Sequence, residues 1–558
     1  MPESKSKFLV PVVSAVIVVA GGIAAYLYFK NPGGNNLTPM GSAKIVPANA
    51  LMATYVNTNA ESWQRLQQFG TQQAQDLVAT RVKDFQQDLF SDGNISYDTD
   101  IKPWIGGVMI AALPPTPATA TSTEKNTSIQ AEKEPNILLV VGIKDKIKAL
   151  NFANKLKQQK NSQIQESEYK GQTIIARQGS NQPTYAAVLN NTHILLAPEK
   201  QTVEKAIDTY TGEPSFATKE GASSILTKGV DLQNTLAQIY IPDHANAAEK
   251  LATLNPQGRP LQPETIAQLK QVKSLVAGIG IDDAGLRFKT IVNLDPKLSK
   301  FQYQSSPAKI VSKFPSDTIA LLTGQNINGS WQTFLEQSKD TPEIKQGVEQ
   351  ARGQIKQFFN LDLDKDIFSW MNGEFALGAV KSDQGWLANL GFGGAIVFDT
   401  SDRKTAEATF TKLDDLAKKQ SLNVTQKNMG GKNITEWDAP FQGSLIAHGW
   451  LDQDTVFVAI GGPIAATIAD NKDKTLDQSE TFKAVTGSLQ KPNGGYFYLD
   501  MEKTTSLINR FVAADQPVTS DINAILGSIN GFGVTVNSTD KSTFQMEMLL
   551  ALKPSSSK

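Results

Sequence analysis

The residues best suited to binding a metal ion are three aspartates at alternate positions, Asp362, Asp364 and Asp366. Alternating carboxylates in a loop supply the hard oxygen ligands that calcium prefers. A calcium loop of the EF-hand type would also need glycine at position 367 and glutamate at position 373, where this chain has Ile367 and Gly373. Two interpretations stay open: a calcium site, or carboxylates that accept hydrogen bonds from the backbone amides of a tight loop.

The same pattern occurs earlier in the chain with one position changed. Ser96 takes the first of the three alternate positions, Asp98 and Asp100 follow, and an apolar segment typical of a strand comes after both copies. If the protein were an enzyme with unfamiliar carboxylate chemistry, Asp98, Asp100, Asp364 and Asp366 would be the residues to test first. This is the third of three functional hypotheses.

The rest of the chain lacks the usual signatures of catalysis. None of the three histidines (His193, His244 and His448) has a second histidine or an acidic residue at metal-ligand spacing. The sequence contains no nucleophile elbow, P-loop or dinucleotide-binding fingerprint. The glycine-rich segment 391–394 leads into a strand and not a helix, which favours a turn. We therefore predict no catalytic residue and no cofactor-binding residue, and the sequence favours a protein that is not an enzyme.

Composition excludes several classes of protein. The chain has 54 lysine and arginine residues against 55 aspartate and glutamate residues, so it lacks the positive charge that nucleic-acid binding requires. It has no cysteine, which excludes disulfides, thiolate metal sites and cysteine nucleophiles. Its hydrophobic content of 40% is that of a folded globular protein.

The N-terminal segment predicts a membrane anchor. Residues 8–29 are apolar and carry no charge, and as a helix they would span about 33 Å, enough to cross the hydrocarbon core of a bilayer. Tyr26 and Tyr28 would lie at the outer interface. A cleaved signal peptide is the alternative, but its apolar region is normally shorter, about 7–15 residues. We expect a cytoplasmic tail over residues 1–7, a transmembrane signal-anchor helix over 8–29 and a flexible linker over 30–44.

The remainder of the chain contains an internal duplication. Ser62-Trp63-Gln64 recurs as Ser330-Trp331-Gln332, and Asp100-Ile101 followed by Trp104 recurs as Asp366-Ile367 followed by Trp370. Gly278-Ile279-Gly280 recurs as Gly531-Phe532-Gly533. Landmarks that repeat in one order indicate a duplicated structural unit. The recurrence of both tryptophans predicts that they belong to a duplicated core.

Each repeat reads as short strands joined mostly by turns, with a few amphipathic helices between them. Asn190-Asn191 predicts the turn of a hairpin, and Asp402 predicts the N-cap of a helix. The predicted fold class is α+β: an N-terminal transmembrane helix followed by two tandem repeats of a mainly antiparallel sheet with packed helices. The first repeat covers residues 45–299 and includes a disordered loop at about 114–135, and the second covers 308–555. A polar helical segment at 244–273 is expected to be shortened in the second repeat.

These landmarks together resemble the DUF3352 family of bacterial proteins of unknown function, which is common in cyanobacteria. The resemblance rests on Pro47-Ala48-Asn49-Ala50 and Pro315-Ser316-Asp317-Thr318 at the opening strands, and on the order of the tryptophan, aspartate and turn motifs after them. It covers about residues 44–554. It implies a membrane-anchored protein outside the cytoplasm, in the periplasm or the thylakoid lumen of a cyanobacterium, and it supplies no catalytic residues.

The first functional hypothesis is therefore a membrane-anchored extracytoplasmic binding or scaffold protein, with a protein partner in the envelope and a role in envelope or membrane assembly. The second is a carrier of lipid or another hydrophobic ligand, because an apolar strand pattern does not distinguish a filled core from a lined cavity. Neither hypothesis requires a cofactor or a nucleic acid.

Overall fold

The computed structural model describes residues 37–80, 96–115, 135–157, 163–178, 184–254, 261–298, 304–339, 342–461, 463–470, 474–511 and 519–555. The predicted cytoplasmic tail, the predicted anchor over 8–29 and most of the predicted loop at 114–135 lie outside these residues. No helix within the described part of the chain is long and apolar enough to cross a membrane.

The chain divides into two units. Unit 1 comprises Met1–Leu66, Gln75–Ile281 and Lys289–Leu298, and unit 2 comprises Gln67–Ala74, Asp282–Phe288 and Ser299–Lys558.

Unit 1 contains short helices and a series of strands. The elements up to the seventh strand are α1 (Pro39–Ala43), β1 (Met52–Val56), α2 (Ala60–Gln64), β2 (Ile105–Leu113), β3 (Asn136–Ile143), α3 (Lys146–Lys157), β4 (Gln163–Tyr169), β5 (Gln172–Gln178), β6 (Thr184–Leu189) and β7 (His193–Ala197). They are followed by α4 (Lys200–Tyr210), α5 (Ala222–Lys228), β8 (Thr235–Ile241), α6 (His244–Leu254), α7 (Pro263–Leu269), β9 (Val272–Asp282) and β10 (Gly285–Leu294), whose first residues belong to unit 2.

Unit 2 has the same kinds of elements in nearly the same order. Up to the seventeenth strand they are β11 (Thr318–Gln325), α8 (Ile327–Ser338), α9 (Pro342–Phe359), β12 (Glu374–Lys381), β13 (Phe392–Asp399), α10 (Arg403–Lys419), β14 (Asn423–Met429), β15 (Lys432–Ala439), β16 (Gly443–Trp450) and β17 (Thr455–Ile460). They are followed by α11 (Ile464–Ala469), α12 (Glu480–Thr486), β18 (Tyr496–Asp500), α13 (Met501–Phe511), α14 (Ser520–Gly527), β19 (Ile529–Ser538) and β20 (Thr543–Leu552).

Both units pair their strands in one antiparallel order. In unit 1, β1 lies between β2 and β8, β2 continues to β3, β3 to β7, and β7 back through β6 and β5 to β4. In unit 2, β11 lies between β12 and β18, and the order continues in the same way from β13 through β17 to β14. The mixed architecture with a large antiparallel sheet is as the sequence predicts.

Local sequence explains where several of these elements begin and turn. The side chain of Asp402 accepts from the Thr405 amide at 3.1 Å and caps α10, as predicted for an N-terminal aspartate. The tight turn between β6 and β7 places Asn190 and Asn191 at φ 45° and 54°. Asparagine tolerates this left-handed conformation better than most residues, so the predicted hairpin forms there.

The main core of each unit lies on one face of its sheet. Tyr240 on β8 and Tyr498 on β18 are both fully buried in it, at matching positions of the pairing. Smaller clusters lie around Trp104 in unit 1 and Trp370 in unit 2, which are each 2% exposed. The prediction that these two tryptophans occupy a duplicated core is confirmed.

The same prediction is wrong for Trp63, which is 42% exposed. Its indole nitrogen donates to the carbonyl of Asn57 at 2.8 Å, so the ring is held by the short helix α2 and its preceding loop. A helix of one turn cannot bury a large ring on its own.

Two segment boundaries also need correction. The flexible linker predicted over 30–44 ends sooner, because α1 forms within it: Thr38 caps the helix by accepting from the Gly41 amide, and Ala43 is buried in the core. The helical segment after β8 is not shortened in the second repeat. The pair α6–α7 has a full counterpart in α13–α14. The two pairs of helices differ in sequence, so the sequence alone did not show that they correspond.

The glycine match between the last strands is wrong as well. Gly278 pairs with Gln238, two residues before Tyr240, whereas Gly533 pairs with Tyr498 itself. The two glycines therefore stand at different positions of the shared register. A short glycine motif does not determine the register of a strand, because the register depends on the neighbouring strand with which it pairs.

Candidate functional site

The loop of three aspartates is closed by its own hydrogen bonds. Oδ1 of Asp362 accepts from the amides of Asp364 and Lys365, each at 3.0 Å. Asp366 accepts from the Asp362 amide at 2.8 Å and from Nζ of Lys412 at 2.8 Å. Burial works to raise the pKa of Asp366, but the Asp362 amide and the Lys412 ammonium outweigh it and hold that pKa below its usual range.

The middle aspartate also has partners within the protein. Asp364 accepts from the indole of Trp331 at 2.6 Å and forms an ion pair with Nε of Arg352 at 2.8 Å. Burial raises the pKa of Asp364, and Arg352 with Trp331 brings it below the usual value. Within the described residues, no group of three or more acidic or histidine side chains is placed to hold a metal ion. The geometry fits the second interpretation, carboxylates that shape the loop, and the calcium site stays an untested hypothesis.

The first copy of the loop repeats this construction. Asp100 accepts from the Ser96 amide at 2.8 Å and from Lys155 at 2.7 Å, while Asp98 pairs with Lys102 at 3.1 Å. Lys155 lies on α3, as Lys412 lies on the corresponding helix α10 of unit 2. In each unit, one lysine of a helix thus forms an ion pair with the last aspartate of the loop. This shared structural role accounts for the duplication of the motif.

Two of the histidines are buried and packed. Nε2 of His448 lies 2.8 Å from Oδ1 of Asp414, which also accepts from the indole of Trp437 at 2.7 Å, and the ring stacks on Phe410. Nδ1 of His193 lies 3.0 Å from the Thr192 hydroxyl. Both imidazole rings are thus packed and hydrogen-bonded within unit 2 and unit 1, respectively.

The outer face of the sheet in unit 2, opposite the core that holds Tyr498, presents a different kind of surface. Leu322 on β11 pairs with Leu377 on β12 and with Phe497 on β18, and all three side chains point away from the core. They are 45%, 41% and 36% exposed, respectively. Large apolar side chains that lie side by side on one exposed face make this surface a candidate binding site.

These side chains border an open groove of about 290 Å³. The groove runs across β11, β12, β13, β17 and β18. None of its lining residues within the described chain is charged. Its larger side chains are Leu322, Leu377, Ile396, Ile460 and Phe497.

Unit 1 has a less exposed and less apolar surface at the same positions. Thr54 pairs with Ile110 and with Ile239, so these three residues match Leu322, Leu377 and Phe497 in the shared register. All three are only partly exposed, and the central one is polar. The three side chains at these positions are therefore more exposed and more apolar in unit 2 than in unit 1.

The backbone around the groove is already fully paired. Strand β11 lies between β12 and β18, and β13 lies between β12 and β17. A partner therefore cannot add a strand at this place, and any contact must come from side chains or other apolar groups that lie on the face.

A sequence profile described as "Protein of unknown function (DUF3352)" matches residues 12–552, nearly the whole chain. This protein belongs to the DUF3352 family. The resemblance inferred from the order of the sequence motifs is thus confirmed. No curated protein sequence matches the DUF3352 protein.

Among solved structures, three crystal forms of TP0453 align with part of the DUF3352 protein. Form III shows 10% identity and a TM-score of 0.26, covering 47% of this chain and 81% of that one. Form IV shows 11% identity and a TM-score of 0.26, with 45% and 79% covered, and form I shows 9% and 0.24, with 47% and 81% covered. Likenesses at these TM-scores carry no argument about function.

Sequence reasoning about this DUF3352 protein found the aspartate loops but missed the groove. The residues of the groove alternate with core residues along the same strands, so their apolar character looked like that of a filled core. One signal was present in the sequence: Leu322 replaces Thr54 at a repeated position. That difference becomes informative only when the strand register is known.

Proposed function

We propose that this DUF3352 protein is a membrane-anchored, extracytoplasmic binding protein that docks an envelope protein partner on the groove of unit 2. The observation that carries the proposal is the exposure of Leu322, Leu377 and Phe497 on an uncharged face. Burying such side chains against a partner gains about 25 cal/mol for each Å² of apolar surface removed from water. No catalytic group is part of this function.

A protein partner fits the groove better than an enclosed small ligand. Sites that hold small ligands usually have volumes of about 300–1,000 Å³ and bury most of the ligand surface. The groove is at the lower end of that range and is open, with its main side chains exposed by a third or more. A face of this kind accommodates a few apolar side chains projecting from another protein.

A carrier of lipid is the alternative, and the uncharged lining is the observation that favours it. An acyl chain has no polar group to satisfy, so it could lie in the groove without loss of hydrogen bonds. In that arrangement it would remain partly exposed to water, which weakens the carrier hypothesis relative to the first.

Native mass spectrometry of the full-length protein, extracted gently from its own membrane, tests the proposal. We expect a stoichiometric protein mass that is lost in the Leu377→Glu variant, because a carboxylate would have to be desolvated against the partner. The matched control is Phe441→Glu, since Phe441 is fully exposed but does not line the groove. Equal binding by both variants would overturn the proposal, and a lipid-sized mass lost only with Leu377→Glu would favour the carrier.

A further inference from the structure

The helical pair α13–α14 of unit 2 carries a second apolar surface. The two helices contact each other, and neither contains a buried residue. Four of their side chains are 39–57% exposed: Ile508, Phe511, Ile522 and Ile525. We call these four residues the hairpin tip: Ile508 and Phe511 lie near the C-terminal end of α13, and Ile522 and Ile525 lie on α14, the helix that follows.

The spacing places these residues on one stripe of each helix. Ile508 and Phe511 are three residues apart on α13, and Ile522 and Ile525 are three apart on α14, so each pair shares a helix face. On α13 the same face continues back through Met501 and Thr505, which are half-buried. The apolar stripe therefore begins against the unit and runs out into solvent at the tip.

The two basic side chains of α13 pair with aspartates and lie outside the four residues of the tip. Lys503 pairs with Asp500 at 2.7 Å, and Arg510 pairs with Asp383 at 2.6 Å. None of the four residues of the tip is charged, so the tip can enter an apolar phase without desolvating an ion.

The corresponding helices of unit 1 lack this surface on their second member. The third and sixth residues of α14 are Ile522 and Ile525, whereas the third and sixth residues of α7 are Thr265 and Gln268. Positions exposed to water favour polar residues such as those of α7. They do not favour two isoleucines such as those of α14. The two positions on the second helix are therefore apolar in unit 2 and polar in unit 1, whereas the position of Ile508 on the first helix is apolar in both, since its counterpart is Leu251.

We propose that the hairpin tip inserts into the interfacial layer of the lipid bilayer to which the chain is anchored. This proposal rests on the membrane anchoring proposed above. Only residues 30–36 separate the apolar segment 8–29 from the first described residue, and seven residues can span at most about 25 Å. A bilayer is therefore the apolar phase that is always within reach of this protein.

The charge of the hairpin predicts which lipids it tolerates. Interfacial helices that select anionic lipids carry several lysines or arginines on their polar face. Here α13 has Lys503 and Arg510, both paired, together with Glu502, and α14 contributes Asp521. Insertion is driven by apolar area, so zwitterionic and anionic bilayers serve equally.

The absence of cysteine from the chain makes a direct test simple, because one introduced cysteine can be labelled alone. The full-length Ile525→Cys variant, labelled with a fluorophore sensitive to polarity, is reconstituted into phosphatidylcholine vesicles with and without nitroxide-bearing lipids. The matched control is Gln268→Cys, at the same position of α7. We expect a blue-shifted emission and quenching by the nitroxide lipids at position 525, and neither effect at position 268.

Three results would overturn the proposal. The first is a water-like emission at position 525 in vesicles that carry the protein. The second is a blue shift without quenching by lipid, which would indicate contact with another protein or a second copy. The third is quenching that requires phosphatidylglycerol in the bilayer. Flotation of the same vesicles reports the anchor separately, so protein that floats with an unquenched label removes the tip proposal but not the anchoring. Equal thermal melting of labelled and unlabelled protein verifies the fold.

Discussion

Leu322 and Leu377 lie opposite each other across β11 and β12, and both remain more than two-fifths exposed. Their chain neighbours Leu321 and Ala376 point to the other face and are buried, at 1% and 0% exposure. Because alternate side chains of a strand point to opposite faces, the same pair of strands forms part of a closed core and part of an open surface.

The first prediction compares two adjacent leucines on β11. Leu321→Ala should lower the free energy of unfolding by about 2–5 kcal/mol, because it leaves a cavity in the core. Leu322→Ala should lower it by less than about 1 kcal/mol, because that side chain keeps much of its contact with water in the folded state. Urea titration measures both, and similar losses would show that the outer face is covered in the isolated protein.

The second prediction concerns the pH dependence of stability contributed by Asp366. Its pKa is lowered in the folded state, so its contribution is present above the unfolded pKa of about 3.9 and is lost as the pH falls through the folded value. Asp366→Asn should cost on the order of 1–2 kcal/mol at neutral pH through the loss of charge-assisted hydrogen bonds. The difference from the wild type should shrink below about pH 4.

Denaturant titrations at several pH values measure this effect. The matched control is Asp98→Asn. The Asp98 side chain is 71% exposed, and its ion pair is with Lys102 in the same loop. An exposed pair of this kind contributes less than about 1 kcal/mol. A difference between Asp366→Asn and the wild type that stayed constant with pH would contradict the prediction.

The third prediction concerns calcium. We expect calcium to leave the melting temperature unchanged, because the carboxylates of Asp362, Asp364 and Asp366 already accept hydrogen bonds from amides, Trp331, Arg352 and Lys412. Calcium would have to displace these partners before it could bind. Calorimetry with and without calcium decides the matter, and a rise that disappears in Asp364→Asn would establish the calcium site.

The fourth prediction concerns a buried ion pair in unit 2. Arg287 contacts both Glu547 and Asp282, and Arg287 and Glu547 are each less than a tenth exposed. Glu547→Gln should lower the free energy of unfolding by about 1–3 kcal/mol, because it removes a charge-assisted hydrogen bond to Arg287 while Asp282 keeps the guanidinium paired. A double-mutant cycle with Arg287→Met measures the coupling, and additive losses would mean that the two side chains act independently.

Much of the fold follows from local sequence. Asp402 predicted a helix start, Asn190 and Asn191 predicted a hairpin, and the recurrence of Trp104 as Trp370 predicted a repeated core. Each of these features depends on residues within a few positions of each other, so chain order alone carries the information. The order of such landmarks was also enough to identify the family.

The sequence did not reveal which partners the aspartates have. Lys412 lies 46 residues from Asp366, and His448 lies 34 residues from Asp414. Such pairs form only when a helix packs on the sheet. For that reason the aspartate loop stayed open to two interpretations until its hydrogen bonds were known.

By itself, the sequence determined the α+β class, the duplication, the family and the alternation of apolar residues along the strands. Only the tertiary structure decided which face of each sheet is covered. Alternation marks two faces of a strand, but burial depends on what packs against each face, and that contact comes from distant parts of the chain. For this reason Leu321 and Leu322, neighbours of the same residue type, belong to a core and to a proposed binding surface, respectively.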